Sequence, residues 1–235
     1  MINFKEMNLS AEIHKEVDEL EIGFVFQPIY RLSDMYLVGY EALMRPKNRS
    51  PLELIEEYRQ RDELHKIELA TVFGAWQAYR ERSYDTLLSI NSFPEECLTD
   101  TEEICFHNLF PESQMRLIVE ILEYTKLNLE KWEIKHNQLK KRQVRTVIDD
   151  FGTGNNTDID IVDLYSSIMI KLDRKLISGI DSNEELQRIV VEYIKEFHDR
   201  NILVLAECVE TEAELNYLIS AGVDFAQGYY LGRPA

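Results

Sequence analysis

Thr146-Val147-Ile148-Asp149-Asp150-Phe151-Gly152-Thr153-Gly154 is an apolar run that stops in two adjacent carboxylates and a glycine-rich turn. Read as a buried strand, it sets both charges at the strand's carboxyl end, where barrel proteins of the α/β class gather metals and catalytic groups. Adjacent carboxylates repel each other and resist desolvation, so a strand ending in two of them asks for a cation. An isolated pair also fits an Asp turn leading into a solvated loop, because a metal site needs several converging oxygen ligands. The flanking chain decides between the two.

Upstream of this strand the pattern predicts a helix from about Leu127 to Lys141, a strand over Arg116–Leu122, a short helix around Pro94 to Leu109 and a strand over Thr86–Asn91. Earlier still come helical periodicities through Leu52, Ile55 and Tyr58 and from Glu63 to about Tyr79. Two strand-like runs, Phe24–Tyr30 and Tyr36–Leu43, are separated only by Arg31–Met35. A parallel crossover needs a dozen or more residues, so this pair must be an antiparallel hairpin. Leu9, Ile13, Val17 and Leu20 predict an amphipathic helix with Ser10 near its start. Downstream, a loop with a short helix leads to a strand over Ser167–Leu172. A helix from Asn183 to about His198, a strand over Asn201–Glu207, a helix from Glu212 to Ala221 and a last strand over Asp224–Tyr229 follow.

About eight strands separated mostly by helices, in 235 residues, predict an α/β fold of the TIM (β/α)8 type whose first strand runs antiparallel. An open doubly wound sheet is the alternative, but no GxGxxG fingerprint follows an early strand. Residues 1–23 are expected to form a helical segment packing on the barrel, and residues 24–235 the barrel itself. A hydrophobic content of 45% suits one large core. The net charge of −17, from 43 acidic and 26 basic residues, argues against a nucleic-acid polymer or an anionic membrane as partner. Cys97, Cys105 and Cys208 make no CxxC pair, and no apolar run has signal-peptide or bilayer-spanning character. These features point to a reducing cytoplasm.

The polar residue at or near the end of each successive strand is Glu41, Asn91, Glu120, Asp149 with Asp150, Lys171, Glu207 and Gln227. In a barrel these positions converge on one face, bringing together five carboxylates, two amides and an ammonium. Burying so many carboxylates without cations is prohibitive, and oxygen-only ligands suit Mg²⁺ or Mn²⁺ better than zinc. Two ions bridged by a shared carboxylate would form the clamp used for in-line attack at phosphorus.

Tyr40-Glu41-Ala42-Leu43-Met44-Arg45, the Asp149 to Gly154 stretch and Gln227-Gly228-Tyr229-Tyr230-Leu231-Gly232-Arg233-Pro234, in that order, resemble the EAL domain family, cyclic di-GMP-specific phosphodiesterases, here as a stand-alone domain. The resemblance runs from about Phe24 to Ala235. It implies hydrolysis of one phosphodiester of cyclic di-GMP to linear pGpG by a modified TIM barrel, and a homodimer. It also implies Glu41, Asn91, Glu120 and Asp149 as ligands of one metal, with Asp149, Asp150 and Glu207 serving a second. Lys171 would hold the nucleophilic water or a phosphate oxygen, and Glu207 would accept a proton. Glu123 matches a glutamate that steadies the loop after the Asp-Asp pair. Glu210 and Gln227 match positions beside the metals, and Gln27 and Arg45, with Gln227, match substrate contacts. Two departures stand out. The family's Ala-Glu-Gly-Val-Glu is here Ala206-Glu207-Cys208-Val209-Glu210, so that Cys208 can crowd the backbone, and the loop from Gly154 to Asp160 is more acidic and longer than the pattern.

Taken singly, each carboxylate would also fit a cap or surface ion pair. His14, His65, His107, His136 and His198 share no ligand spacing and read as surface or interhelical residues. Cys208 reads as a small buried residue, Trp76 and Phe73 as core. Lys131, Lys135, Lys140, Lys141, Arg142 and Arg145 read as a solvated helix face, with a site for an anionic partner as the alternative. Besides the phosphodiesterase, the sequence admits a non-catalytic cyclic di-GMP receptor acting through a protein partner, and a metallophosphoesterase of other substrate.

Overall fold

The computed structural model describes residues 1–113, 115–122, 128–152 and 160–235, with the backbone alone at 160 and 161. Eight strands close into a barrel in chain order: β1 (Ile22–Arg31), β2 (Tyr36–Pro46), β3 (Leu87–Ser92), β4 (Leu117–Ile121), β5 (Arg145–Phe151), β6 (Met169–Leu172), β7 (Leu203–Ala206) and β8 (Phe225–Ala226). β1 is antiparallel to both β2 and β8, and every other neighbouring pair is parallel. The short Arg31–Met35 connection forces that reversal, as the sequence predicts.

Helices α1 (Ala11–Val17), α2 (Pro51–Gln60), α3 (Leu64–Glu81), α4 (Asp100–Leu109), α5 (Leu129–Lys141), α6 (Asp160–Tyr165), α7 (Arg174–Ile177), α8 (Glu184–Asp199) and α9 (Glu212–Ala221) join the strands. Side-chain caps set several of their starts. Ser50 with Glu53, Thr99 with Glu102 and Thr211 with Glu214 each form a capping box, satisfying backbone donors that the first turn leaves open. Capping explains two corrections. The first helix begins after Ser10 and ends at Val17, short of Leu20, and α4 starts only after Thr99, so Pro94 and Glu95 form a turn and Glu96 to Leu98 an irregular stretch. α7 was not anticipated, and β8 stops at Ala226, before the expected Tyr229.

α3 lies at the centre of the outer core. Ile67, Leu69, Phe73, Trp76 and Tyr79 are buried along it, and Phe73 meets Phe106 of α4 edge to face at 5.4 Å. Inside the barrel the side chains form layers. Ile29, Ile118, Val147, Met169 and Leu205 make an apolar layer below, and the strand-end polar residues form the layer above.

Candidate active site

β2 to β8 present their carboxyl ends to one side, and β1 brings Gln27 level with Glu41 through the hairpin register. Period-two alternation turns Glu41, Asn91, Glu120, Asp149 and Lys171 inward. Asp149 and Asp150 are consecutive and should point to opposite faces. A register shift between Ile148 and Phe151, with Asp150 at φ +51°, breaks the alternation and lets both carboxylates line the same cavity. Gly152 completes the turn at φ +101°, where a Cβ would lie 2.5 Å from Leu176. At the other side of the barrel the backbone of Gly228 approaches Val209 so closely that a Cβ would come within 2.2 Å. The Val209 N–H donates to Gln227 O, and this contact fixes Gln227 beside Glu207.

Lys171 is fully buried at the centre of the cluster. Its Nζ lies 3.2 Å from Glu41, 2.8 Å from Glu120, 2.9 Å from Asp149 and 2.8 Å from Glu207. Asn91 Nδ2 donates to Glu41 at 3.3 Å, and Gln227 Nε2 donates to Glu41 at 2.7 Å and to Glu207 at 3.0 Å. Oxygens of Asp149, Asp150 and Glu207 all lie within 4.8 Å of one another. Asn91 Oδ1 and Gln227 Oε1 are buried and accept no hydrogen bond among the described residues.

Burial pushes the Glu120 carboxyl up to about 8, with Glu41 adding repulsion and Lys171 only partly offsetting it. Burial also holds Glu207 well above the ordinary range. Burial pushes Glu41 the same way, but the Lys171 charge and the bonds from Gln227, Lys171 and Asn91 outweigh it and leave its carboxyl low. Burial alone would strip Lys171 of its proton; the surrounding carboxylates, Asp149 first, reverse this and raise it.

The cavity, about 460 Å³, is also lined by Gln27, Arg45 and Cys208. Gln27 Nε2 donates to Gly232 O at 3.2 Å, and Arg45 stands at the exposed rim with Nη1 on Met44 O at 2.8 Å. Glu210 is exposed and pairs with Arg174 at 3.1 Å. Glu123 and the loop from Gly154 lie outside the described residues.

Ser89 went unremarked in the sequence, yet its Oγ donates to Glu120 at 2.6 Å; its position two residues before Asn91 on β3 was the available signal. Cys208 is exposed, not buried, and adopts φ +55°, the left-handed region that explains why glycine suits this place. Although the side chain reaches solvent, the protein around its sulfur and the charge of Glu207 push the thiol up to about 11. The basic run is not a uniformly solvated face either. Lys135 is 3% exposed and donates to Glu68, Ser92 and the carbonyls of Phe93 and Glu96, while Arg142 pairs with Glu103.

The sequence matches the family model described as EAL domain over residues 10–234. It is 26% identical over 192 residues to the cyclic di-GMP phosphodiesterase PdeA of Borreliella burgdorferi, covering 80% of this chain and 28% of that protein. With the cyclic di-GMP phosphodiesterase TpdA of Vibrio parahaemolyticus it shares 27% over 212 residues, 89% of this chain and 36% of the relative. The chain thus spans 28% and 36% of the length of these two relatives. A standalone versatile EAL protein from Vibrio cholerae O395, solved in its c-di-GMP-bound form, superposes with a TM-score of 0.81 at 26% identity, over 92% of this chain and 93% of that one. An EAL domain protein from Listeria monocytogenes EGD-e gives 0.77 at 21% identity, over 97% and 94%, and shares the fold.

Proposed function

The chain belongs to the EAL domain family, and from that premise we propose that it hydrolyses one phosphodiester bond of cyclic di-GMP to linear pGpG with the help of two divalent ions. The observation that carries this reading is the convergence of Glu41, Asn91, Glu120, Asp149, Asp150, Glu207 and Lys171 around one cavity. One ammonium answers the four carboxylates in contact with it. The surplus negative charge, the all-oxygen donor set and the orphaned Asn91 Oδ1 fit Mg²⁺ or Mn²⁺. Glu41, Asn91, Glu120 and Asp149 would hold one ion, and Asp149, Asp150 and Glu207 the other. Such ions supply positive charge that acidifies a water and neutralises phosphate oxygens.

The chain's own residues do the rest. Lys171 ties four strand ends together by donating to Glu41 and Glu120 and pairing with Asp149 and Glu207, and its ammonium can also hold a phosphate oxygen. Glu207, oriented by Gln227, would take the proton from the attacking water. Gln227 orients Glu207 and Glu41. Arg45 at the rim can fork onto a phosphate, and Gln27 lines the same cavity. A cytoplasmic homodimer acting on the dinucleotide, with neither a nucleic-acid polymer nor a membrane as partner, completes the proposal. The charge of −17 supports excluding polyanions, and no described helix is long and apolar enough to cross a membrane.

A second reading, a receptor that binds cyclic di-GMP without cutting it, is favoured by one observation: Lys171 already occupies the centre of the cluster. Chromatographic analysis of cyclic di-GMP incubated with the chain in Mn²⁺ separates the two. Accumulation of pGpG, reduced at least about 100-fold in Glu41→Ala, is expected for a metal-assisted hydrolase. Saturable binding without product would make the receptor the better account.

A further inference from the structure

The underside of the barrel, opposite the carboxylates, holds two adjoining cavities that the proposed hydrolysis does not use. One is a pit of about 230 Å³ whose walls include Ile29, Val38, Leu87, Ile118, Met169 and Phe225. The other, about 310 Å³, lies beside it between the end of α5 and the start of β5, walled by His136, Lys140, Gln143 and Arg145 among others. Arg145 and Ile168 line both, so Arg145 stands where an apolar space meets a cationic one. Neither lining contains an Asp or a Glu, although the chain carries 43 of them. Arg31, also on the pit wall, is taken by Asp34 at 2.6 Å. Lys140 and Arg145 have no carboxylate partner among the described residues. Within the basic run, Lys135 and Arg142 are thus committed to Glu68 and Glu103, while Lys140 and Arg145 line this cleft.

We propose that the underside binds a free medium-chain acyl carboxylate, its tail in the pit and its carboxylate on Arg145 and Lys140. An apolar cavity of about 150 Å³ is filled by benzene, so a pit of 230 Å³ takes an unbranched chain of about eight or nine carbons. A guanidinium matches a carboxylate in fork geometry, and among the described residues no Asp or Glu on either lining opposes that charge. Ser89 lines the pit and donates to Glu120, so one side chain separates the occupant from the carboxylate cluster.

Calorimetric titration of the chain with octanoate tests this assignment. One saturable site is expected, with affinity rising about threefold per methylene from hexanoate to octanoate and levelling once the pit is full. Octanol, which lacks the charge, should bind at least about tenfold more weakly, as should octanoate to Arg145→Gln. Lys131→Gln, on neither lining, should bind octanoate as the native chain does. In methyl NMR of ¹³C-labelled methionines, octanoate should shift Met169 in the pit and leave Met44, on the upper cavity, unmoved; this readout uses the native chain and depends on no variant folding. No saturable heat, equal affinity for octanol, or a shift at Met44 in place of Met169 would overturn the proposal. Capture by phosphatidylglycerol vesicles without any response to octanoate would overturn it too, making a lipid surface the ligand.

Discussion

Lys171 is a buried ammonium shared by four carboxylates, and such a group cannot be removed from one side without leaving its partners stranded. Breaking a buried ionic cluster in this way costs about 3–5 kcal/mol. Lys171→Met should therefore lose stability of that order in EDTA, read by urea unfolding, and regain much of it in Mn²⁺, which would bind only the folded cluster. Equal stability of variant and native chain in EDTA would contradict this account. Cys208 makes the opposite prediction. A non-glycine residue held at φ +55° costs about 1–2 kcal/mol, and glycine's greater freedom in the unfolded chain returns part of it. Cys208→Gly should raise stability by about 0.5–1 kcal/mol; a loss would mean that the cysteine side chain contributes packing. The glycine of the family pattern at Cys208 hinted at its backbone conformation, but the Ser89 contact was not legible in the sequence. Cysteine carries no signal for positive φ, and a single serine inside a strand looks like any other until its partner on β4 is known.

The turn after β3, which follows Asn91, is held by two neighbouring elements. Lys135 of α5 donates to Glu68 of α3 at 2.8 Å and to Phe93 O and Glu96 O at 2.6 Å, and the Phe93 N–H donates to Glu68 at 3.0 Å. Lys135→Met alone should destabilise the chain by about 3–5 kcal/mol, whereas adding Glu68→Met should restore much of the loss, because the stranded charge is then gone. An additive double variant would exclude this clamp. His65 secures the same turn from the other side, with Nε2 at 3.0 Å from Glu102 and Nδ1 at 3.5 Å from Glu96. Hydrogen bonds that it donates to Glu102 and then Glu96 raise it from 6.5 to about 10. A folded pKa above the unfolded one gives stability that is complete below about pH 6.5 and is lost as pH rises towards 10. After discounting for its partial exposure, the loss is about 1–2 kcal/mol. Denaturation midpoints should fall between pH 7 and 9.5 in the native chain, and His65→Asn should flatten that slope; an unchanged slope would assign the pH dependence elsewhere. Helix existence was legible from apolar spacing and capping residues, but Lys135 was not. On a helix in an acidic chain, a lysine whose partner lies 67 residues away has the same pattern as one in solvent.

In the whole molecule, the antiparallel first strand followed from one short connection, and the convergence of the strand-end polar residues followed from barrel closure. That is why the architecture and most of the cluster could be read from sequence. What could not be read is how the two ends of the barrel differ in use. The upper end gathers carboxylates around Lys171, while the lower end combines an apolar pit with cations from β5 and α5 that have no carboxylate partner among the described residues. Hydrolysis belongs to the upper end, and its most direct measurement is mass spectrometry of cyclic di-GMP incubated with the chain and Mn²⁺ in ¹⁸O-labelled water. The account predicts pGpG carrying one ¹⁸O atom in its terminal phosphate, and none from Glu41→Ala. Recovery of intact, unlabelled cyclic dinucleotide from a chain that binds it saturably would contradict that prediction.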